Sequence, residues 1–416
     1  MRKKQDAFAA VRDRYGILPA VLLVAIPISV VLCILFLINY QVAGGGGYWV
    51  YSDFTMMWLG GKGILDGADL YNPVDWKRLH DLYAPIYRDN PIFLFPMPAA
   101  FLFVPFALMP VNLGATLWLL LGELFLFVVI GDFVRKLSIR HPLALLGLFL
   151  LVAFFSPIPI IILTGQYSLI MLFLLWAVYA FMKRGQDLLA GICLTLLILR
   201  PNPFVILLPV LLAWALWKRR WTFFVGNGVS GLFLLAITWM MRPGWLTLWL
   251  EYVVGNSGKI HDYGPITPTL WGIVSDLGRS LTLNMQTAIS AALSILIILV
   301  VLWMVLRHRS LALDAVLAVS MALSLFVTPY AWNYDQVLLL FPVFYALVLA
   351  EKLTAEKRRG VWVAAVFVLS AWPYFLRYIA YQRDLDTFSG LVPFVVLVLV
   401  LGTMHLIPER THETVL

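Results

Sequence analysis

Apolar runs of about 20 residues recur along nearly the whole chain, from residues 17–38 at one end to 387–407 at the other. A helix of that length spans about 30 Å, the thickness of a bilayer's hydrocarbon core. Inside that core every backbone polar group must be satisfied within the chain, which a helix does by itself. Of the 416 residues, 62% are hydrophobic and 12% charged, where a soluble globule carries about 45–50% and 25%. No polar stretch is long enough to join a soluble domain. The pattern predicts an all-α polytopic membrane protein, residues 1–416 forming a single membrane-embedded domain.

A formal net charge of +8 would point to nucleic acid in a soluble protein. Here no basic stripe is interleaved with exposed aromatics, so nucleic acid is not an expected partner. Lys and Arg instead gather in short cytoplasmic loops. Residues 1–16 carry five basic side chains ahead of the first apolar run, and no small-x-small cleavage site follows it. That reads as a retained signal anchor with its N-terminus in the cytoplasm. Residues 91–110 are apolar but hold five prolines, which break the helical ladder.

Basic-residue parity decides how that stretch lies. If it stays at the outer surface, the spans are 17–38, 112–134, 142–163, 167–182, 187–200, 203–217, 221–241, 284–306, 311–328, 335–351, 361–379 and 387–407. The inner side then holds 20 of the 30 basic residues, and only 11 if 91–110 crosses. The expectation is about twelve spans, both termini cytoplasmic, and 40–110 forming an outer loop. Within that loop, 74–83 sets Trp76, Leu79 and Tyr83 on one face and Asp75, Lys77, Arg78 and Asp81 around the other, as an interfacial helix would.

On this topology most of the unusual polar residues share the outer side. Asp53 opens a helical pattern just beyond the first span, where it can serve as an N-cap, as a general base in a partly apolar pocket, or as both. Arg200 ends the segment 186–200, whose 15 residues make about 22 Å of helix against a core of about 30 Å. Its guanidinium is therefore expected at membrane depth, facing either an anion in a protein cavity or, by snorkelling, the interface. Thr164-Gly165-Gln166-Tyr167 is a polar break between two spans, which alone reads as a plain turn. The run from Pro329 to Gln336 holds Tyr330, Asn333, Tyr334 and Asp335, a density of hydrogen-bonding groups suited to a polyhydroxylated ligand. His261 and Asp262 form either a solvated loop pair or a dyad; Arg377 and Arg383 flank the last outer loop and can neutralise a phosphate or pair with Asp384 and Asp386. Cys33 and Cys193 lie in apolar runs, the glycines at 44–47 lack the Lys-Ser/Thr of a P-loop, and no HExxH, DxD or histidine cluster occurs, so no metal site is expected.

Taken in order, several of these pieces resemble glycosyltransferase family 87, whose members use polyprenyl-phosphate sugars on the GT-C membrane fold. The resemblance runs through Asp53 and its helix, Gly67-Ala68-Asp69-Leu70-Tyr71-Asn72-Pro73, the proline-rich 91–110, Gly165-Gln166, Arg200-Pro201-Asn202-Pro203 and the segment 329–336. It implies Asp53 as the catalytic base, and Arg200 with Arg377 at the donor phosphate. Gln166, Asn202, Tyr330, Asn333, Tyr334, Asp335 and His261 are then expected around the sugar or acceptor. The scheme needs neither nucleotide nor metal, and its partners are a polyprenyl-phosphate-linked sugar, a lipid or glycan acceptor and membrane lipid. It also implies a prokaryotic plasma membrane with the site facing outward. Mannosyltransferases of this family carry a histidine in the segment matching 329–336, where this chain has Asn333 and Tyr334. A transporter or flippase is the competing reading; it predicts repeated halves and midplane charges, and the sequence has no repeat and only Glu123 as an acid deep in a span.

Overall fold

The computed structural model describes residues 26–27, 31, 52–84, 92–139, 142–255, 267–307, 312–383 and 386–407. The first span at 17–38 lies almost wholly outside them, as do both termini and His261. No strand occurs among the described residues.

Helix α1 (Ser52–Leu65) ends where Gly67 adopts a left-handed φ of 66°. Asn72 then caps α2 (Pro73–Tyr83), accepting the Val74 N–H at 2.8 Å, with proline at the first helical position. The apolar face of α2 is built from Trp76 and Leu79 as expected, but it packs on Phe93 and on Gly63 of α1 rather than being left to the bilayer. Tyr83 lies outside that face, and His80 takes the buried place, its Nδ1 2.9 Å from the Trp76 carbonyl. Helix α3 (Met97–Ala107) has Pro105 within it. Its 11 residues reach about 16 Å, far short of the ~30 Å core. It lies against α1 because Gly60 and Gly61 let the two approach: a Cβ on Gly61 would sit 2.9 Å from the Phe103 backbone.

From there the chain forms α4 (Val111–Lys136), α5 (Pro142–Ala153), α6 (Pro157–Thr164), α7 (Ser168–Lys183), α8 (Asp187–Ile198), α9 (Leu207–Trp217) and α10 (Trp221–Met241). Next come α11 (Trp245–Gly255), α12 (Leu270–Leu277), α13 (Leu283–Arg307) and α14 (Leu313–Val327). The last are α15 (Leu340–Ala350), α16 (Ala355–Leu369), α17 (Ala371–Arg383) and α18 (Leu391–His405), with 3₁₀ turns at Asn333–Leu339 and Thr387–Gly390 leading into α15 and α18. Among the described residues, six stretches are long and apolar enough to cross a bilayer: Val111–Lys136, Trp221–Met241, Leu283–Leu306, Asn333–Ala350, Ala355–Ala380 and Thr387–His405. The pair α5 and α6, bent by 58°, makes a seventh if counted as one broken span. Of the twelve expected spans, the first lies almost wholly outside the described residues, and seven of the other eleven meet the length and composition of a crossing once α5 and α6 are counted as one. The other four do not, because the runs read at 167–182, 187–200, 203–217 and 311–328 became helices of 16, 12, 11 and 15 residues, below the ~20 a full crossing takes.

Two apolar cores result. The larger is centred on α7, α14, α15 and α18; α14 is enclosed, with every residue from Leu313 to Val327 except Asp314 buried. The smaller joins α1, α2 and α3 to Trp118 of α4 and Trp245 of α11. Tyr167 and Ile170 pack against both. That seam is where the polar residues collect.

Helices α8 and α10 touch backbone to backbone through Gly191 and Gly226, where a Cβ would lie 2.1 Å from the Phe223 carbonyl and 2.2 Å from the Leu188 carbonyl respectively. Small residues at such crossings are what hold helices together where lipid offers no hydrophobic drive. Gly226→Leu is therefore expected to pry the pair apart at a cost of about 1–3 kcal/mol, read as a lowered thermal midpoint of the purified protein, whereas Gly228→Leu, with open space around it, should leave the midpoint unchanged.

Candidate active site

The site is built on the five-residue turn 164–168. Helix α6 stops at Thr164 because Gly165 turns left-handed (φ 71°) and sends its N–H back to the Ile161 carbonyl at 2.8 Å. Only glycine fits here, since a Cβ would meet the Phe54 Cβ at 2.6 Å and the backbone angle is unfavourable to any other residue. The Gly165 carbonyl accepts the Trp118 indole N–H at 3.0 Å, so the turn is pinned to α4 while it abuts the first turn of α1.

One end of the turn serves a buried ion pair. Arg200 follows α8, and Pro201 prevents the helix from continuing. The chain reverses through Asn202–Phe204 and docks on α14, where the Ser324 hydroxyl accepts the N–H groups of Ile206 and Leu207 at 3.0 and 2.8 Å. Thr328 donates to the Asn202 carbonyl at 3.0 Å, tying this reversal to the segment that carries Asp335. The Arg200 Nη1 and Nη2 atoms consequently lie 2.9 and 3.1 Å from the two oxygens of Asp335, and both side chains are buried. Ser168 donates to Asp335 at 3.2 Å and accepts from Arg200 at 3.5 Å. The Tyr167 and Tyr334 rings stand 4.9 and 5.1 Å from the guanidinium carbon, a cation–π arrangement. Of the two expectations for Arg200, an anion in a protein cavity or snorkelling to the interface, the side chain meets an anion, and that anion is Asp335.

The other end of the turn serves Asp53. Its carboxyl hydrogen-bonds the side chains of Gln166 and Thr164 and lies near enough to Arg200 and Asp335 to feel both charges. The residue is half-buried by its accessible surface, while protein crowds the carboxyl itself. Burial pushes the carboxyl up from 3.8 to about 6, against the lowering effects of the Gln166 bond, the Arg200 charge and the Thr164 bond, while Asp335 adds to the rise. Thr164 has one hydroxyl hydrogen and a second acceptor in the Ile160 carbonyl at 2.9 Å. Bonded to Ile160, it can accept from protonated Asp53; turned outward, it donates to the ionised form.

Two carboxylates of one site thus differ in kind. Asp335 receives Arg200, the Ser168 hydroxyl and, at 3.0 Å, the Trp332 N–H, so its oxygens are engaged by protein donors. Asp53 has solvent access and a pKa within reach of neutrality, the combination a proton acceptor requires.

The remaining expected residues divide. Tyr330, Asn333 and Tyr334 come with Asp335; Trp332 donates to the Tyr330 hydroxyl at 2.7 Å. Asn202 is exposed, and what it gives the fold is its backbone carbonyl. Arg377 does not pair with Asp335 but lies 3.4 Å from Asp386. Burial raises the Asp386 carboxyl, against the Arg377 charge and a 2.7 Å bond from Ser389. Ser389 in turn accepts Gln336 through its carbonyl at 2.9 Å, so this second pair leans on the neighbour of Asp335. His261 lies outside the described residues. Tyr167 was read only as part of the polar break 164–167, and Ser168 was not singled out by sequence reasoning. The one signal for Ser168 was positional: it opens the apolar helix that follows the Gly165 turn.

A family model for glycosyltransferase family 87 matches residues 93–329, more than half of the 416-residue chain. The chain belongs to glycosyltransferase family 87. It is accordingly a membrane glycosyltransferase, acting on a sugar donor and an acceptor. The match takes in the turn 164–168 and Arg200 and stops short of Asp53 and Asp335. No curated protein and no solved structure matched this family 87 chain.

Two substitutions probe the site's construction. Gly165→Ala should lose about 1–3 kcal/mol through φ strain and the clash with Phe54, with transferase activity falling in parallel as α1 is displaced. Removing one member of the buried pair, as Asp335→Leu or Arg200→Met, is expected to cost about 3–5 kcal/mol. The double variant should be less destabilised than either single one, read as a non-additive cycle in thermal midpoints.

Proposed function

We propose that the protein transfers a sugar from a polyprenyl-phosphate carrier to a hydroxyl of a lipid or glycan acceptor at the outer membrane face, by a single inverting displacement with Asp53 as general base. The observation that carries this reading is the raised, partly accessible Asp53 beside a guanidinium, in a family whose chemistry is sugar transfer.

The acceptor O–H gives its proton to an Asp53 oxygen as the acceptor oxygen forms a bond to the anomeric carbon. The bond from that carbon to the phosphate oxygen breaks, and the electron pair leaves with the polyprenyl phosphate. Negative charge grows on the leaving phosphate, so Arg200 stabilises the transition state more than the ground state. Asp335 takes a positioning role, holding Arg200 between two phenol rings so that no reorganisation is needed during reaction. Gln166 and Thr164 orient the base. Tyr330, Asn333 and Tyr334 are assigned to donor or acceptor hydroxyls, and Arg377, paired with Asp386, to the donor phosphate. The sugar itself, mannose or another hexose or pentose, is left to the donor panel below.

The test is reconstitution with labelled polyprenyl-phosphate sugars and candidate acceptors. Asp53→Asn should lower transfer by about 10²–10⁴-fold; transfer that survives this change intact removes Asp53 as base. The wild-type rate should climb with pH through about 6 and level off above it, because only the ionised carboxylate accepts a proton. Residual activity in Asp53→Asn should lack that inflection. Movement of label across the vesicle without transfer would favour a flippase.

A further inference from the structure

Two polar atoms beside Asp53 have no partner. The Gln166 amide oxygen and the Tyr167 hydroxyl are both buried and make no hydrogen bond. Gln166 is 5% exposed, so water does not reach it freely. Its orientation is fixed by chemistry: the amide meets the Asp53 carboxylate, and only the NH₂ end can donate to it. The oxygen is therefore the idle end, separated from the carboxylate by one amide group and one hydrogen bond. The Tyr167 ring is equally constrained, with the Arg200 guanidinium over it at 4.9 Å and Phe95 edge-on at 5.9 Å, so its hydroxyl has little freedom to seek another partner.

Buried polar groups left without a partner are unfavourable, and a bound water, ion or ligand is one way in which such a group is completed. Gln166 and Tyr167 are adjacent in a turn whose other members are all engaged: Thr164 and Gly165 with Asp53, Ile160 and Trp118, and Ser168 with Asp335 and Arg200. The amide oxygen can only accept, and the phenol can donate or accept. A ligand hydroxyl satisfies both, donating to the amide oxygen and accepting from the phenol. With Asp53 taking one hydroxyl hydrogen and Gln166 another close by, the complementary ligand carries neighbouring hydroxyls.

We propose that the Gln166 amide oxygen and the Tyr167 hydroxyl form a subsite for a second hydroxyl next to the one that meets Asp53, so that this site selects a ring bearing a vicinal diol over a simple alcohol. The idea rests on the transferase reading in taking the surroundings of Asp53 as the substrate site. It deepens that reading by assigning specificity to two residues and by making the group that meets Asp53 part of a sugar or polyol.

The experiment measures binding by titration calorimetry on the full chain in lipid nanodiscs, with hexyl mannoside, hexyl glucoside and their monodeoxy analogues as probes. Wild type should bind at least one parent glycoside, and one deoxy analogue should bind about tenfold more weakly. In Gln166→Met and Tyr167→Phe the gap between parent and that analogue should shrink to within about twofold. Tyr167→Phe keeps the ring between Arg200 and Phe95, so a native thermal midpoint for this variant removes misfolding as the cause. Discrimination that persists in both variants overturns the proposal, as does an absence of saturable glycoside binding to wild type. Equal weakening of every probe, parent and deoxy alike, also overturns it, since that is the mark of a resident water or a purely structural role. The two readings fail separately. If Asp53→Asn abolishes transfer while Gln166→Met and Tyr167→Phe keep the wild-type discrimination, the subsite falls and the proposed mechanism stands; if discrimination depends on these residues but no polyprenyl-phosphate sugar is turned over, the subsite stands and the polyprenyl-phosphate donor falls.

Discussion

The polar residues of the candidate site are arranged around one buried guanidinium. Arg200 ends a helix too short to carry it to the surface, and a cation in that position must have a counter-ion or leave the fold. Asp335 supplies it from 135 positions away, and the pair holds three segments together: the turn 164–168, the reversal after α8 and the run leading into α15. Burying two charges is costly even when they are paired, so such a bridge is poor evidence for stability as such. Its value is geometric. A guanidinium fixed by a carboxylate and flanked by two phenol rings is held in one orientation, which under the proposed mechanism would meet the growing negative charge without reorganising.

Asp53 inherits its chemistry from that arrangement. It shares the turn 164–168 with Arg200 and Asp335, so it feels one favourable and one unfavourable charge, and burial tips the balance toward the protonated form. Asp335, a few residues into the same cluster, meets donors at both oxygens. The same side-chain type meets two different surroundings, and the proposed roles of Asp53 as proton acceptor and Asp335 as positioning group rest on that difference.

The two cores explain why the site lies where it does. Helices α1, α2 and α3 form a small apolar body of their own, drawn tight by Gly60, Gly61 and Gly63, and that body meets the large helical core along Tyr167 and Ile170. A seam between two packed bodies is a natural place for partly accessible polar groups, since neither core has to interrupt its own packing to hold them. The family 87 match begins within the small body and runs through the large one, so the receiving wall of the site lies within the matched region and the acid of α1 outside it.

Much of this was legible in the chain itself. Hydrophobic runs gave helices and a membrane, because a segment's composition reports the solvent its backbone must survive in. The short segment 186–200 gave a buried arginine, and the clustering of Asp53, Gln166 and 329–336 marked the polar positions worth attention. Helix lengths were less legible: runs read as crossings proved shorter, since apolar composition does not distinguish a helix facing lipid from one enclosed by protein, as α14 is. Nor could α2 be told from a helix lying on a bilayer, because an apolar face looks the same whether lipid or Phe93 covers it. The sequence by itself determined that this protein is a membrane-helical chain with a charge held at depth. Only the tertiary structure decided that Asp335 answers that charge, that Ser168 and Tyr167 support it, and that Asp53 stands on the far side of the same turn. Local pattern states what each residue requires, and long-range packing alone selects which residue meets the requirement.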